Sequence, residues 1–208
     1  LFPLALSMVF YVLFGFLVIL TILKKFSLSS LLKSLAILLV ILSFFQPWWL
    51  FTGTSSTLPA EKTTALYVNP AMMIETRKYY GEVSLNLAEM PDVFLMFLGG
   101  ILPLASLVCI SIGIGIILKR TMKKKYAFLL SIIGIILLGI LLSAFSYGTT
   151  RLIETSLGPV QGEDDLSASF GSEDVMIHAS WGFSAGFYLI CIAIIVTVLA
   201  VLLDIRMR

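Results

Sequence analysis

His178 is the only histidine among the 208 residues, and Glu173 and Asp174 lie just before it. An imidazole beside two carboxylates is the donor set of a metal site or of acid–base chemistry. A zinc site uses three or four ligands with His or Cys prominent. No cysteine accompanies this trio, so His178 reads as a hydrogen-bonded loop histidine. Glu163, Asp164 and Asp165 form a second acidic group, without the alternating acids and glycine of a calcium loop. It reads as a solvated acidic outer loop that attracts cations and basic partners. Cys109 and Cys191 fall in apolar runs at depths that differ by roughly 9 Å at 1.5 Å of rise per residue. A disulfide needs Cα atoms within about 7 Å, so both read as small packing residues. The sequence has no Cys-x-x-Cys, Gly-x-Ser-x-Gly, phosphate loop or His-Glu-x-x-His, and no basic aromatic surface suited to nucleic acid. The expectation is a protein that is not an enzyme, with no cofactor, no metal and no catalytic residue.

The elements that must position these residues are apolar. Hydrophobic residues make up 59% of the chain and charged residues 12%, about half the charged share of a soluble domain. Mean hydropathy is +1.06. Five stretches approach the ~20 residues that cross a bilayer: Leu1–Leu23, Leu31–Leu50, Val93–Leu118, Tyr126–Tyr147 and Trp181–Leu203. No basic residue precedes the first, so it reads as a retained helix and not a secretory signal. Lys33 lies near one end of the second, where its ammonium can snorkel to the headgroups. None of the five carries an ionisable group at depth, which argues against a proton pump or an ion-coupled transporter.

Charge gives the direction. Lys24, Lys25, Lys33, Lys119, Arg120, Lys123, Lys124, Lys125, Arg206 and Arg208 fall on one face of this layout, and every acid except Asp204 falls on the other. Basic short loops stay in the cytoplasm. The expectation is a multi-pass cell-membrane protein with its N-terminus outside and its C-terminus cytoplasmic. Lys119, Arg120, Lys123, Lys124 and Lys125 form a cytoplasmic basic turn. Trp48, Trp49 and Trp181 read as interfacial anchors. Neither outer loop has a cysteine and no Asn-x-Ser/Thr sequon occurs, which favours a prokaryotic source.

The first outer loop, 52–92, holds strand signals. Thr64–Val68 is β-prone, Glu82–Leu87 alternates polar and apolar, and Met72–Arg77 would pair with it in a hairpin. The second loop, 148–180, is rich in Gly, Ser and acid, and reads as less regular.

Spans two to five thus read helix, long outer loop with strands, helix, tight basic turn, helix, second outer loop, helix. With Trp48 and Trp49 opening the first loop, this layout resembles the claudin-like tetraspan superfamily. That family's Gly-Leu-Trp motif and its two following cysteines are missing from 52–92, so the resemblance is one of topology. The expected fold is an all-α integral membrane protein of about five helices. Residues 1–25 form a peripheral helix. Residues 26–208 form a four-helix bundle with a small β-containing extracellular cap.

Small residues recur where helices could touch: Ala105, Cys109 and Gly113 every four positions, with Ser111 and Gly115 on a neighbouring face, then Gly139 and Ser143, then Gly182 and Gly186 in a GxxxG spacing. In lipid, small residues permit close backbone approach. The expected function is a non-enzymatic membrane subunit that packs with and organises a larger complex. Its partners would be membrane lipids and other membrane subunits or copies of itself, with no nucleic acid. The alternative is an oligomeric channel or pore whose acidic outer mouth, at Glu163–Asp165, attracts cations.

Overall fold

The computed structural model describes residues 27–55, 62–68, 73–79, 82–87, 92–120, 124–154, 157–170 and 173–206. The expected first span, Leu1–Leu23, and Lys24, Lys25, Lys123 and Arg208 lie outside the described residues.

Four helices and six strands follow in the order α1 (Leu28–Ser43), β1 (Trp49–Ser55), β2 (Lys62–Val68), β3 (Met73–Tyr79), β4 (Glu82–Leu87), α2 (Asp92–Arg120), α3 (Lys124–Glu154), β5 (Gly162–Phe170), β6 (Glu173–Phe183) and α4 (Ala185–Arg206). The expectation of an all-α, five-span protein is overturned. The strands form one six-stranded antiparallel sheet in the order β4-β3-β2-β1-β6-β5. Among the described residues, three helices are long and apolar enough to cross a membrane, within Gly100–Lys119, Lys124–Arg151 and Ala185–Arg206.

The expected second span fails for a local reason. Ser27 caps α1: its hydroxyl accepts from the Ser30 amide at 3.2 Å, and its carbonyl from Leu31 at 3.0 Å. At the other end Phe45 and Gln46 donate to Leu42 and Ser43, which tightens the last turn, and Pro47 cannot continue the helix. The 16 residues of α1 rise about 24 Å at 1.5 Å each, short of the ~30 Å hydrocarbon core. Beyond Pro47 and Trp48 the apolar run Trp49-Leu50-Phe51 becomes the start of β1. Apolarity alone does not separate a buried strand from a helix, and aromatic residues favour strands. The same ambiguity moves the start of the last span: Trp181–Phe183 end β6, and α4 begins at Ala185.

The second outer loop is not irregular. β5 and β6 form a hairpin from Gly162↔Trp181 to Phe170↔Glu173. Along β6, Val175, Ile177, Ala179 and Trp181 are buried while Asp174, Met176, His178 and Ser180 are exposed. That strict two-residue alternation is a strand signal legible in the sequence. The β1–β6 pairing, Trp49↔Phe183 to Thr54↔His178, merges both strand-bearing segments into a single sheet. The β3–β4 hairpin joins Ile74↔Leu87 to Tyr79↔Glu82, where the alternating pattern placed it.

The chain divides into two compact units. One gathers the described residues of Leu1–Ile41, Ala105–Gly139 and Cys191–Arg208; the other gathers those of Leu42–Leu104 and Ile140–Ile190. In the helical unit the core is Ala36, Leu38, Val108, Ile112, Leu138 and Ala193. There α2 and α3 approach closely at Gly134, where a Cβ would lie 2.6 Å from Ile112 Cγ1, and at Gly115, where it would lie 3.3 Å from the Ala127 carbonyl. Glycine supplies the space, as lipid-embedded helix pairs require.

In the sheet-bearing unit the centre is Trp48, fully buried. Its backbone amide donates to the Val68 carbonyl at 2.8 Å, its carbonyl accepts from Ser184 at 2.9 Å, and its ring meets Phe145 edge-on at 4.8 Å between centroids. One residue thus ties the end of β2, the β6–α4 junction and α3.

Candidate functional site

Two arrangements of polar and charged side chains stand out, one in each unit. In the helical unit, Asp204 of α4 is nearly buried and collects three donors. Lys33 Nζ lies 2.7 Å from Oδ2; Ser29 Oγ lies 2.6 Å and Lys119 Nζ 2.5 Å from Oδ1. Lys119 also donates to Ser27 Oγ at 2.9 Å. Lys33 is 0% exposed, so it does not snorkel to the headgroups; the carboxylate of Asp204 is what permits its burial. A buried charge persists only when paired and hydrogen-bonded. The first turn of α1 adds a favourable partial positive charge near the carboxylate. Chemically this is a closed ion cluster that fastens α1, α2 and α4 together. Its members are far apart in the chain, and the one sequence signal for it is that Asp204 is the lone acid among the basic segments.

In the other unit, the sheet presents one open face. It carries Glu163 and Asp165 of β5, Met176, His178 and Ser180 of β6, Thr52 and Thr54 of β1, Thr76 and Lys78 of β3, and Val83 and Leu85 of β4. Val83 and Leu85 are 67% and 66% exposed. Among the described residues, no strand pairs with the outer edge of β4 or of β5. Glu163, Asp164 and Asp165 therefore stand on an edge strand and not on an irregular loop, and all three are exposed. His178 Nδ1 lies 3.0 Å from Asp165 Oδ1 across the β5–β6 pair. Both side chains are about two-thirds exposed (64% and 69%); such an open pair lacks the water exclusion that strengthens catalytic electrostatics. Among the described residues no group of three or more His, Cys, Asp or Glu could hold a metal ion.

The other sequence-derived residues fall as follows. Trp48, Trp49 and Trp181 are buried in protein. Their indole N–H groups donate to the carbonyls of Ser43, Val160 and Pro159, each at 2.9 Å. They are core residues of the sheet-bearing unit, because a buried indole N–H needs an acceptor and the chain supplies one. Gly182 lies in β6 and Gly186 in the first turn of α4, so the GxxxG spacing does not form a helix face. Gly186 is nonetheless a close-approach point: a Cβ there would lie 2.3 Å from Trp48 Cδ1 and 2.8 Å from the carbonyls of Gln46 and Ser43. Ala105 is buried and Cys109 half-buried, while a Cβ at Gly113 or Gly139 would meet nothing within 4 Å, and Ser143 is exposed. The tight α2–α3 contact uses Ser111, Gly115 and Gly134, one face over. Of the basic turn, Lys119 joins the Asp204 cluster, Arg120 ends α2, and Lys124 and Lys125 are exposed at the start of α3. The two cysteines are free and half-buried.

No protein-family model matches the chain, and no curated protein matches it.

Proposed function

We propose that this chain is a non-enzymatic, multi-pass membrane subunit that holds or organises a larger membrane complex, with the open sheet as its recognition surface. The observation that carries this reading is the pair Val83 and Leu85, more than half exposed on β4, whose outer edge pairs with no strand among the described residues. Exposed apolar edge strands are templates for another chain, and proteins that keep them use or guard them. The closed ion cluster at Asp204 supports a scaffolding role, since it fastens helices without leaving a reactive group in a cleft.

The charge distribution supports an orientation. The α2–α3 connection, rich in Lys and Arg, faces the cytoplasm, and the acidic strand-bearing segments face outside.

The test is gentle solubilisation of tagged protein from its native membrane, followed by native mass spectrometry and pull-down. The wild type migrates with a partner or as an oligomer, and Val83→Lys with Leu85→Lys releases it. A wild-type protein that runs as a clean monomer and captures nothing overturns the reading.

A further inference from the structure

We infer that the sheet is built to extend from one copy of this chain to the next, with β5 of one molecule adding to β4 of a second. This rests on the reading of the chain as an interaction subunit and names the partner.

Strand polarity comes first. Every neighbouring pair in the sheet is antiparallel, and the strands number six, so the two edge strands β4 and β5 run in opposite directions. A translation across the strands keeps both copies in the same orientation. It sets β5 of one copy antiparallel to β4 of the next, which is the pairing used throughout this sheet. Repeated head-to-tail addition of this kind gives an open row of molecules.

Charge and level come second, and they are independent of polarity. Following the register across the sheet, Asp165 shares a row with Lys78 and Val83, by way of His178, Thr54 and Thr63. Asp164 shares the next row with Arg77, and Glu163 the row after with Leu85. The acids of one edge therefore stand at the level of the basic pair beside the other edge. Translated across the strands, Asp165 meets Val83 of the neighbour. Lys78 then lies two strand spacings away, about 10 Å between backbones, within reach of its long side chain. Asp164 faces Arg77 in the same way on the opposite face. Glu163, Asp164, Asp165, Arg77 and Lys78 are all exposed. Pairing β5 with another β5 in parallel register would instead oppose acid to acid, which destabilises a sheet. Addition at β4 also covers Val83 and Leu85, the apolar pair that an isolated edge leaves in water.

The experiment uses the full chain in cell membranes, with Cys109→Ala and Cys191→Ala removing background thiols. Two differently tagged copies are co-expressed, one with Val83→Cys and the other with Asp165→Cys, and oxidised mildly. The expected result is a cross-linked dimer carrying both tags, and the same for Leu85→Cys with Glu163→Cys. Val83→Cys with Asp164→Cys, on opposite faces, stays uncoupled. A second measurement follows association by energy transfer between labelled copies in liposomes. Glu163→Lys with Asp165→Lys weakens association about tenfold, the scale of one to two close charge pairs. Lys78→Glu, on the same face as the reversed acids, restores it when mixed with that variant.

Cross-linking no stronger than the opposite-face control overturns the inference. So does a predominance of Val83→Cys homodimers, or a charge-reversed mixture that stays dissociated. Capture of a different membrane protein by the wild type, alongside a failed cross-link, would sink this inference while leaving the subunit reading in place.

Discussion

Lys33 Nζ lies 2.7 Å from Asp204 Oδ2, joining residues 171 positions apart at a fully buried ammonium. Lys119 and Ser29 complete the shell of the carboxylate. Removing one partner of a buried pair leaves the other charge unmatched, at about 3–5 kcal/mol. Asp204→Asn is therefore expected to lower stability by roughly 3 kcal/mol. Lys33→Met should do less harm, because Lys119 and Ser29 stay on the carboxylate. The double variant should lose less than the sum of the two, the mark of direct coupling. Thermal unfolding in a mild detergent, followed by circular dichroism, reads all three.

Gly186 separates packing from mere small size. An alanine there would press a methyl against Trp48 and two backbone carbonyls. Backbone cannot move aside as a flexible side chain can, so Gly186→Ala should destabilise by about 1–3 kcal/mol. Gly113→Ala and Gly139→Ala meet open space and should be neutral or stabilising by up to about 1 kcal/mol through helix propensity. A comparable loss at all three positions, measured by the same unfolding assay, would contradict this division.

The tryptophans give a spectroscopic prediction. All three are buried with their indole N–H groups on backbone carbonyls. Their emission should be shielded both from acrylamide in water and from brominated lipid chains. Strong quenching by the lipid probe would return them to the bilayer interface. Trp48→Phe also removes one of two donors to the Ser43 carbonyl, the other being the Gln46 amide, a loss of about 0.5–1.5 kcal/mol.

His178 and Asp165 offer the opposite case. Their pair is solvent-exposed on the sheet face, and exposed ion pairs contribute little. His178→Ala should change unfolding stability by no more than about 0.5 kcal/mol. A larger change would indicate that this face is covered in the folded protein.

The strands were only partly legible in the sequence. Glu82–Leu87 announced itself by alternation, and its hairpin with β3 formed as that pattern implied. The alternation from Val175 to Trp181 was equally regular, but Gly, Ser and acidic neighbours obscured it. Trp48–Phe51 carried no alternation, and its apolar residues suited either a helix or a strand. Of the small residues, Gly186 and Ala105 were picked by spacing and are buried, while Gly113 and Gly139 matched the spacing equally well and a Cβ there would meet nothing within 4 Å. Spacing fixes which residues share a face; it does not say which face is covered.

The sequence by itself determined the composition of a membrane chain, the three long apolar helices and the segregation of basic from acidic segments. These are sums over neighbouring residues, and each follows from transfer of side chains out of water. Only the tertiary structure decided that β1 pairs with β6, that three tryptophans are buried with their indole N–H groups on backbone carbonyls, and that Lys33 is buried against Asp204. The indole acceptors lie 5, 111 and 22 positions away, whereas the β1–β6 pairing and the Lys33–Asp204 pair each need a partner more than a hundred positions away. A backbone amide of that pairing or a buried ammonium leaves water only where such a partner already waits, and no local stretch of sequence contains it.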